Sequence, residues 1–205
     1  ETQLNRCVPL IASARATLLI ILTVVMLSGG HGVAAETKEI DTIQKQFVAF
    51  YLAKAADNVS IDDISVDDLS VATYVKTLEA DGTWPDINYE SKRRAKWDVV
   101  DHLRRLQAMA IAHVNPKSKY HGQTELKEKL LSGLDHWLQR DYQNPNWFNG
   151  KIRVPKIFSQ TCLLLGKDLP EPMLRKARET VLNRTEISMT GQNRVWCSGI
   201  VLTRG

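Results

Sequence analysis

The sequence predicts an all-α protein, and three observations carry that expectation. Apolar residues recur three and four positions apart in segment after segment, the spacing that lines one face of a helix. No stretch keeps the period of two that a half-buried strand requires. The chain has 205 residues and 43% apolar content, enough for one substantial core, with no low-complexity run.

Residues 1–35 are set aside before the fold is read. Arg6 and Arg15 flank an apolar run from Ala16 to Leu27, followed by small residues and Val33-Ala34-Ala35 before Glu36. This is the pattern of a signal peptide, with cleavage expected after Ala35 and a secreted or periplasmic product. The run is short of the roughly 20 residues that cross a bilayer, so a retained membrane anchor is the weaker alternative. Position 1 is Glu rather than Met, so the sequence is expected to begin inside a reading frame. Cys7 leaves with the leader. Cys162 and Cys197 remain; export would allow them to pair, but a large helical core needs no staple, and two buried thiols are the simpler expectation.

From residue 36 to 205, caps and breakers place seven helices. The first runs from about Thr37 to Ala56, with Ile40, Ile43, Phe47 and Phe50 inward. The second begins near Ser65, has Asp67 and Asp68 in its first turn where the helix dipole favours acids, and ends before Asp81-Gly82. The third, about Lys92 to Val114, presents Val100, Leu103, Ala110 and Val114 and stops before Pro116. A fourth follows Thr124 as N-cap, with Leu126, Leu130, Leu134, Trp137 and Leu138 on one stripe. The fifth starts near Pro155, whose missing N–H is harmless in a first turn, and ends at Gly166. The sixth, about Pro170 to Asn183, turns Leu174, Ala177 and Val181 inward, and a seventh opens near Gly191 and continues to the end of the sequence.

Short connections make consecutive helices antiparallel neighbours, so successive loops alternate between two ends. The loops 81–89, 144–154 and 184–192 are therefore expected on one rim, and 57–64, 115–123 and 167–169 on the other. The first rim holds the aromatics and amides: Trp84, Tyr89, Trp147, Phe148, Asn149 and, at the start of the seventh helix, Asn193 beside Arg194.

Aromatics kept off the apolar helix faces can stack on the C–H faces of sugar rings, and a side-chain amide can hydrogen-bond a carboxylate without a counter-charge. Trp147 and Phe148, bracketed by Asn, are the stronger stacking pair; Trp84 and Tyr89 read more simply as plugs of the core end. Asn149 could bond a sugar hydroxyl or cap its turn, and Asn193 by itself could be an ordinary helix-start residue. Metalloprotease, redox, phosphate-loop and nucleophile-elbow motifs are absent from the sequence. His102, four residues after Asp98, reads as an ion pair or helix-surface residue, and His113, His121 and His136 are scattered.

Charge is uneven: residues 36–90 carry 4 Lys or Arg against 12 Asp or Glu, whereas residues 91–205 carry 21 against 10. The second region suits a polyanionic partner, unless its cations are dispersed over a solvated surface.

Three segments in order, DGTWPDINY at Asp81, NPNWFNGKIRVP at Asn144 and MTGQNR at Met189, resemble the N-terminal part of a family 8 polysaccharide lyase, the group of chondroitin AC, hyaluronate and xanthan lyases. The resemblance implies an incomplete α/α toroid of helical hairpins, truncated here, over 36–205. It implies β-elimination at C4 of a uronic acid, with Asn193 as the catalytic amide that neutralises the carboxylate. It also implies an aromatic patch at Trp147 and Phe148 that directs the polymer; Asn149 and Arg194, beside these motif positions, are candidate substrate-binding residues. Many relatives carry a second Trp where Phe148 stands, and Gln192 stands where Ala is common. The family's His, Tyr and Arg for proton transfer are expected beyond Gly205.

The leading expectation is thus an N-terminal fragment of an exported lyase acting on hyaluronan-, chondroitin- or xanthan-type polymers, inactive alone. No cofactor or metal is assigned, no nucleic-acid partner, no membrane partner once the leader is removed, and a monomer is expected. A non-catalytic acidic-glycan-binding protein on the same toroid is the alternative; a hydrolase would need a carboxylate pair, for which only Asp81 and Asp86 offer themselves.

Overall fold

A computed structural model describes residues 33–56 and 65–204, with side chains from residue 41 on. The described residues fall in two units, divided between Lys45 and Gln46. The expected leader and its cleavage site fall outside the described residues, apart from Val33–Ala35 at the start of a helix; the loop 57–64 lies outside them as well. Among the described residues no helix is long and apolar enough to cross a membrane.

Seven α-helices follow one another: α1 (Val33–Ala56), α2 (Asp68–Thr77), α3 (Val100–Val114), α4 (Thr124–Arg140), α5 (Val154–Leu165), α6 (Glu171–Thr180) and α7 (Gly191–Arg204). There is no strand among the described residues. Asp67 is the N-cap of α2: its carboxylate accepts from the Leu69 and Ser70 N–H groups, both at 2.9 Å, and these bonds with those from the Ser65 and Ser70 hydroxyls hold its pKa well below the usual carboxylate range. In α4 the stripe Leu126, Leu130, Leu134, Trp137 and Leu138 is buried throughout, as the spacing predicts. Pro155 sits in the first turn of α5.

Two expected helices differ. In α1 the inward aromatic is Tyr51, buried, whereas Phe50 is 39% exposed with the Lys54 ammonium 4.9 Å from its ring. Adjacent positions lie about 100° apart on a helix, so one face cannot take both rings, and Tyr51 holds the core side. The third helix starts at Val100, not near Lys92. Lys96 adopts the left-handed region (φ 49°) and Trp97 is buried, its indole N–H donating to the Ser91 carbonyl at 2.9 Å. That anchoring of Trp97 holds residues 91–99 as turns.

Within the larger unit the helices form two rows. Helix α3 packs on α5 and α5 on α7, while α2 and α4 pack against α3, and α6 against α4. Helices α3 and α5, enclosed on several sides, are accordingly buried over most of their length, α3 with His102, Gln107 and His113 among its buried residues.

Loops alternate between ends as helix counting requires. On one end, the Asn144 and Asn146 side-chain amides donate to the carbonyls of Arg93 and Arg94, each at 3.0 Å, and the Thr185 hydroxyl donates to the Lys151 carbonyl at 2.7 Å. Arg184 pairs with Asp141 there. On the other end, Asp68 accepts from the Ser118 hydroxyl and the Lys119 N–H, and His113 meets Asp168 at 3.1 Å. Gly82 sits where the first end meets α4: with φ 83°, a Cβ there would lie 2.8 Å from the Ser132 carbonyl oxygen, so only glycine fits.

Candidate functional site

The rim is built on a run of side-chain amides. Asn144 Oδ1 accepts from the Asn146 N–H and from Asn149 Nδ2, both at 2.9 Å, and Asn146 Oδ1 accepts from the Phe148 N–H at 3.1 Å. These bonds replace a regular ladder and hold the aromatic pair at the entrance to a π-helical turn, Asn149–Arg153, that leads into α5. The π turn was not legible in the sequence. It closes wider hydrogen-bonded rings than an α-turn and so changes the angular spacing of side chains just before Pro155.

Trp147 and Phe148 do not form one platform. Their rings stand perpendicular (85°, centroids 6.0 Å apart), and each faces a different cavity. Trp147 is 52% exposed and lines an open cavity of about 470 Å³ with Lys151, Ser188, Met189, Thr190 and Asn193. Phe148 is half-buried. The Arg153 guanidinium lies 5.1 Å from its ring centre and Trp196 meets it edge-on at 6.2 Å. It walls a smaller cavity of about 160 Å³ with Arg104, Ile152, Arg153, Lys156 and Trp196. The Lys156 ammonium stands 5.5 Å from the Trp196 ring. Phe148 therefore has cationic and aromatic neighbours already on its ring, and the ring open for stacking is Trp147.

Asn193 is half-buried in the first turn of α7 and shares the larger cavity with Trp147. The positive end of the α7 dipole adds to the pull of its amide on an anion. Asn149 lies elsewhere. It is 1% exposed, its Nδ2 donates to Asn144 and its Oδ1 accepts from Arg153 at 3.0 Å, so its amide holds the loop together rather than meeting a sugar. Arg194 is exposed but lines neither cavity, because one step along a helix turns the side chain about 100° from Asn193.

Beneath the rim is a buried polar chain. The Trp84 N–H donates to the Tyr89 hydroxyl (3.0 Å), the hydroxyl meets His102 Nδ1 (2.9 Å), and His102 Nε2 meets the Gly133 carbonyl (2.9 Å). A carbonyl only accepts, so Nε2 carries the proton and Nδ1 accepts from Tyr89. His102 is fully buried, and burial drives its pKa down to about 3; burial likewise pushes the Tyr89 hydroxyl up. His102 is thus neither a surface residue nor paired with Asp98. Trp84, fully buried, and Tyr89, partly buried, plug the core end.

Other chemistry is sparse among the described residues. Cys162 and Cys197 are free, buried thiols, and burial pushes Cys162 up to about 12. Among the described residues no group of three or more His, Cys, Asp or Glu could hold a metal ion. Asp86 is engaged by Arg105 (2.8 Å), and Asp81 caps its own turn through Thr83 (2.7 Å), so the two carboxylates serve structure. Lys151 and Arg153 lie in the loop expected on this rim, but the sequence did not show which cavity each would face, and Trp196 was missed. Two cations spaced by two and a Trp inside a helix do not by themselves reveal that the π turn sends Lys151 to one cavity and sets Arg153 beside Trp196 in the other.

Residues 52–205 match the family model described as polysaccharide lyase family 8, N terminal alpha-helical domain. The chain is 24% identical over 123 residues to the chondroitinase-AC of Pedobacter heparinus, covering 58% of this chain and 18% of that one. It is 27% identical over 146 residues to the hyaluronate lyase of Thermasporomyces composti, covering 64% and 18%. The structure of a Paenibacillus xanthan lyase matches with a TM-score of 0.66 at 19% identity, over 82% of this chain and 17% of that one, a likeness of fold. The matched region is less than a fifth of the length of these relatives.

Proposed function

The chain belongs to polysaccharide lyase family 8, and from that membership we propose that it forms the substrate-aligning part of an exported lyase that cleaves uronic-acid-containing polysaccharides. The observation that carries the reading is that Trp147 and Asn193, from loops more than forty residues apart, line one cavity. A sugar ring laid on the exposed face of Trp147 would place a neighbouring carboxylate within the reach of the Asn193 amide. The C5 proton of a uronate is poorly acidic while its carboxylate keeps full charge. A hydrogen-bond donor aimed at that carboxylate stabilises the enolate-like anion that develops as the proton leaves. A base then takes the C5 proton, the C4–O bond breaks to leave a C4–C5 double bond, and the leaving oxygen takes a proton. His102 is sealed in the core, and His136 is engaged at both ring nitrogens by the Asp81 carbonyl and the Tyr142 hydroxyl; we place the proton-moving groups, as the family resemblance implies, in residues after Gly205.

The test is ultraviolet absorbance of the unsaturated product on hyaluronan, chondroitin and xanthan. The 205-residue chain should bind and not cleave, and the full reading frame should cleave at least one polymer. Cleavage by the short chain, or none by the long one, would overturn the proposal. Trp147→Ala should weaken binding by roughly 1–3 kcal/mol, the scale of base stacking on an aromatic, without changing helix content by circular dichroism. A lower melting temperature with unchanged affinity would make Trp147 a structural residue instead.

A further inference from the structure

We propose that Lys151 is the charge partner of an anionic group on the saccharide bound against Trp147, and so sets the site's preference for acidic over neutral polymers. This rests on the reading of the Trp147–Asn193 cavity as the saccharide site. Among the described residues lining that cavity, Lys151 is the only charged one; its neighbours are an indole, two hydroxyls, a thioether and the Asn193 amide. An amide donates a hydrogen bond but no charge, so an acidic sugar entering this open cavity has its charge offset by Lys151. The side chain is exposed, and among the described residues it makes no ion pair that would compete with a ligand.

The backbone beneath it is fixed. The Thr185 hydroxyl, from a fully buried residue, donates to the Lys151 carbonyl at 2.7 Å and ties the loop before α5 to the loop before α7. The π turn directs Lys151 to the larger cavity while Arg153, two residues on, faces the smaller one across Phe148. A flexible four-carbon stem on a pinned carbonyl lets one ammonium follow a carboxylate or a sulfate ester without needing a fixed geometry.

The experiment is titration of the full-reading-frame protein with three octasaccharides: hyaluronan, chondroitin 4-sulfate, and hyaluronan reduced at its carboxyl groups to the neutral alcohol. Lys151→Gln should weaken binding of the acidic octasaccharides roughly threefold to fivefold at low salt, the upper range for an exposed ion pair. Lys151→Glu should weaken it further and Lys151→Arg should retain it, while the neutral octasaccharide should bind all four proteins alike. An effect confined to chondroitin 4-sulfate would make the sulfate ester the partner; an effect shared equally by both acidic ligands would make it the carboxylate. Equal loss on the neutral ligand, or no loss on either acidic one while Trp147→Ala still weakens binding, overturns the role of Lys151 alone. If Trp147→Ala also leaves binding unchanged, the cavity is not the saccharide site and the reading beneath this inference fails.

Discussion

Asn193→Ala in the full-reading-frame enzyme is expected to lower kcat about 10²- to 10³-fold while KM changes little, the scale seen when one transition-state hydrogen-bond donor is removed. The amide matters most when the carboxylate takes on enolate character, so its loss raises the barrier more than it weakens ground-state binding. Asn193 is half-buried on the first turn of α7, and removing its side chain leaves the helix backbone in place. Asn193→Asp sharpens the test, since it keeps the shape and sets a negative charge against the substrate carboxylate; it should be at least as impaired. If Asn193→Ala instead raises KM with kcat intact, the residue aligns substrate and does not stabilise the reacting anion.

Acid should destabilise the protein in a window set by His102. Its pKa is about 3 when folded and 6.5 unperturbed, so between those values the unfolded chain binds the proton and the folded chain does not. Stability from this group is complete above about pH 6.5 and falls continuously as the pH drops toward 3, by on the order of 5 kcal/mol in all. The depressed carboxylates Asp67, Asp81, Asp86 and Asp168 act lower, losing their contribution only as the pH falls below the ordinary carboxylate value of 3.8. Urea midpoints at pH 7 and pH 5 therefore isolate the histidine. Wild type should be clearly less stable at pH 5, and His102→Gln, less stable at pH 7 because it disturbs the Tyr89 and Gly133 bonds, should show a flatter profile over the same interval. A wild-type midpoint that does not move, or a variant with the same pH slope, would remove His102 as the cause.

The contrast between Asn193 and His102 marks how far the sequence could be read. Helix identity was legible because burial follows periodicity: the α4 stripe and Pro155 in the first turn of α5 need only local spacing to be recognised, whereas Asp67, expected inside a first turn starting near Ser65, proves to be the cap before it. The shared rim was legible because antiparallel hairpins alternate ends. The fate of individual rim side chains was not. Asn149 and Asn193 are the same residue type in similar settings, yet one is sealed into hydrogen bonds with Asn144 and Arg153 and the other opens onto a cavity. Phe148 and Trp147 are adjacent in sequence and face different cavities. His102, polar and four residues from an acid, has the pattern of a surface position, but Tyr89 and Gly133 supply the partners that let it be fully buried.

By itself, then, the sequence determined the all-α class, the order of the helices and the end at which the aromatic and amide loops gather. Those properties depend on period, caps and loop length, all local quantities. The tertiary structure decided which of those residues face solvent, which cavity each aromatic serves and that Lys151 stands with Asn193. These depend on a π turn and on hydrogen bonds between segments 34 and 51 residues apart, Thr185 to Lys151 and Asn144 to Arg93, whose geometry no local pattern encodes.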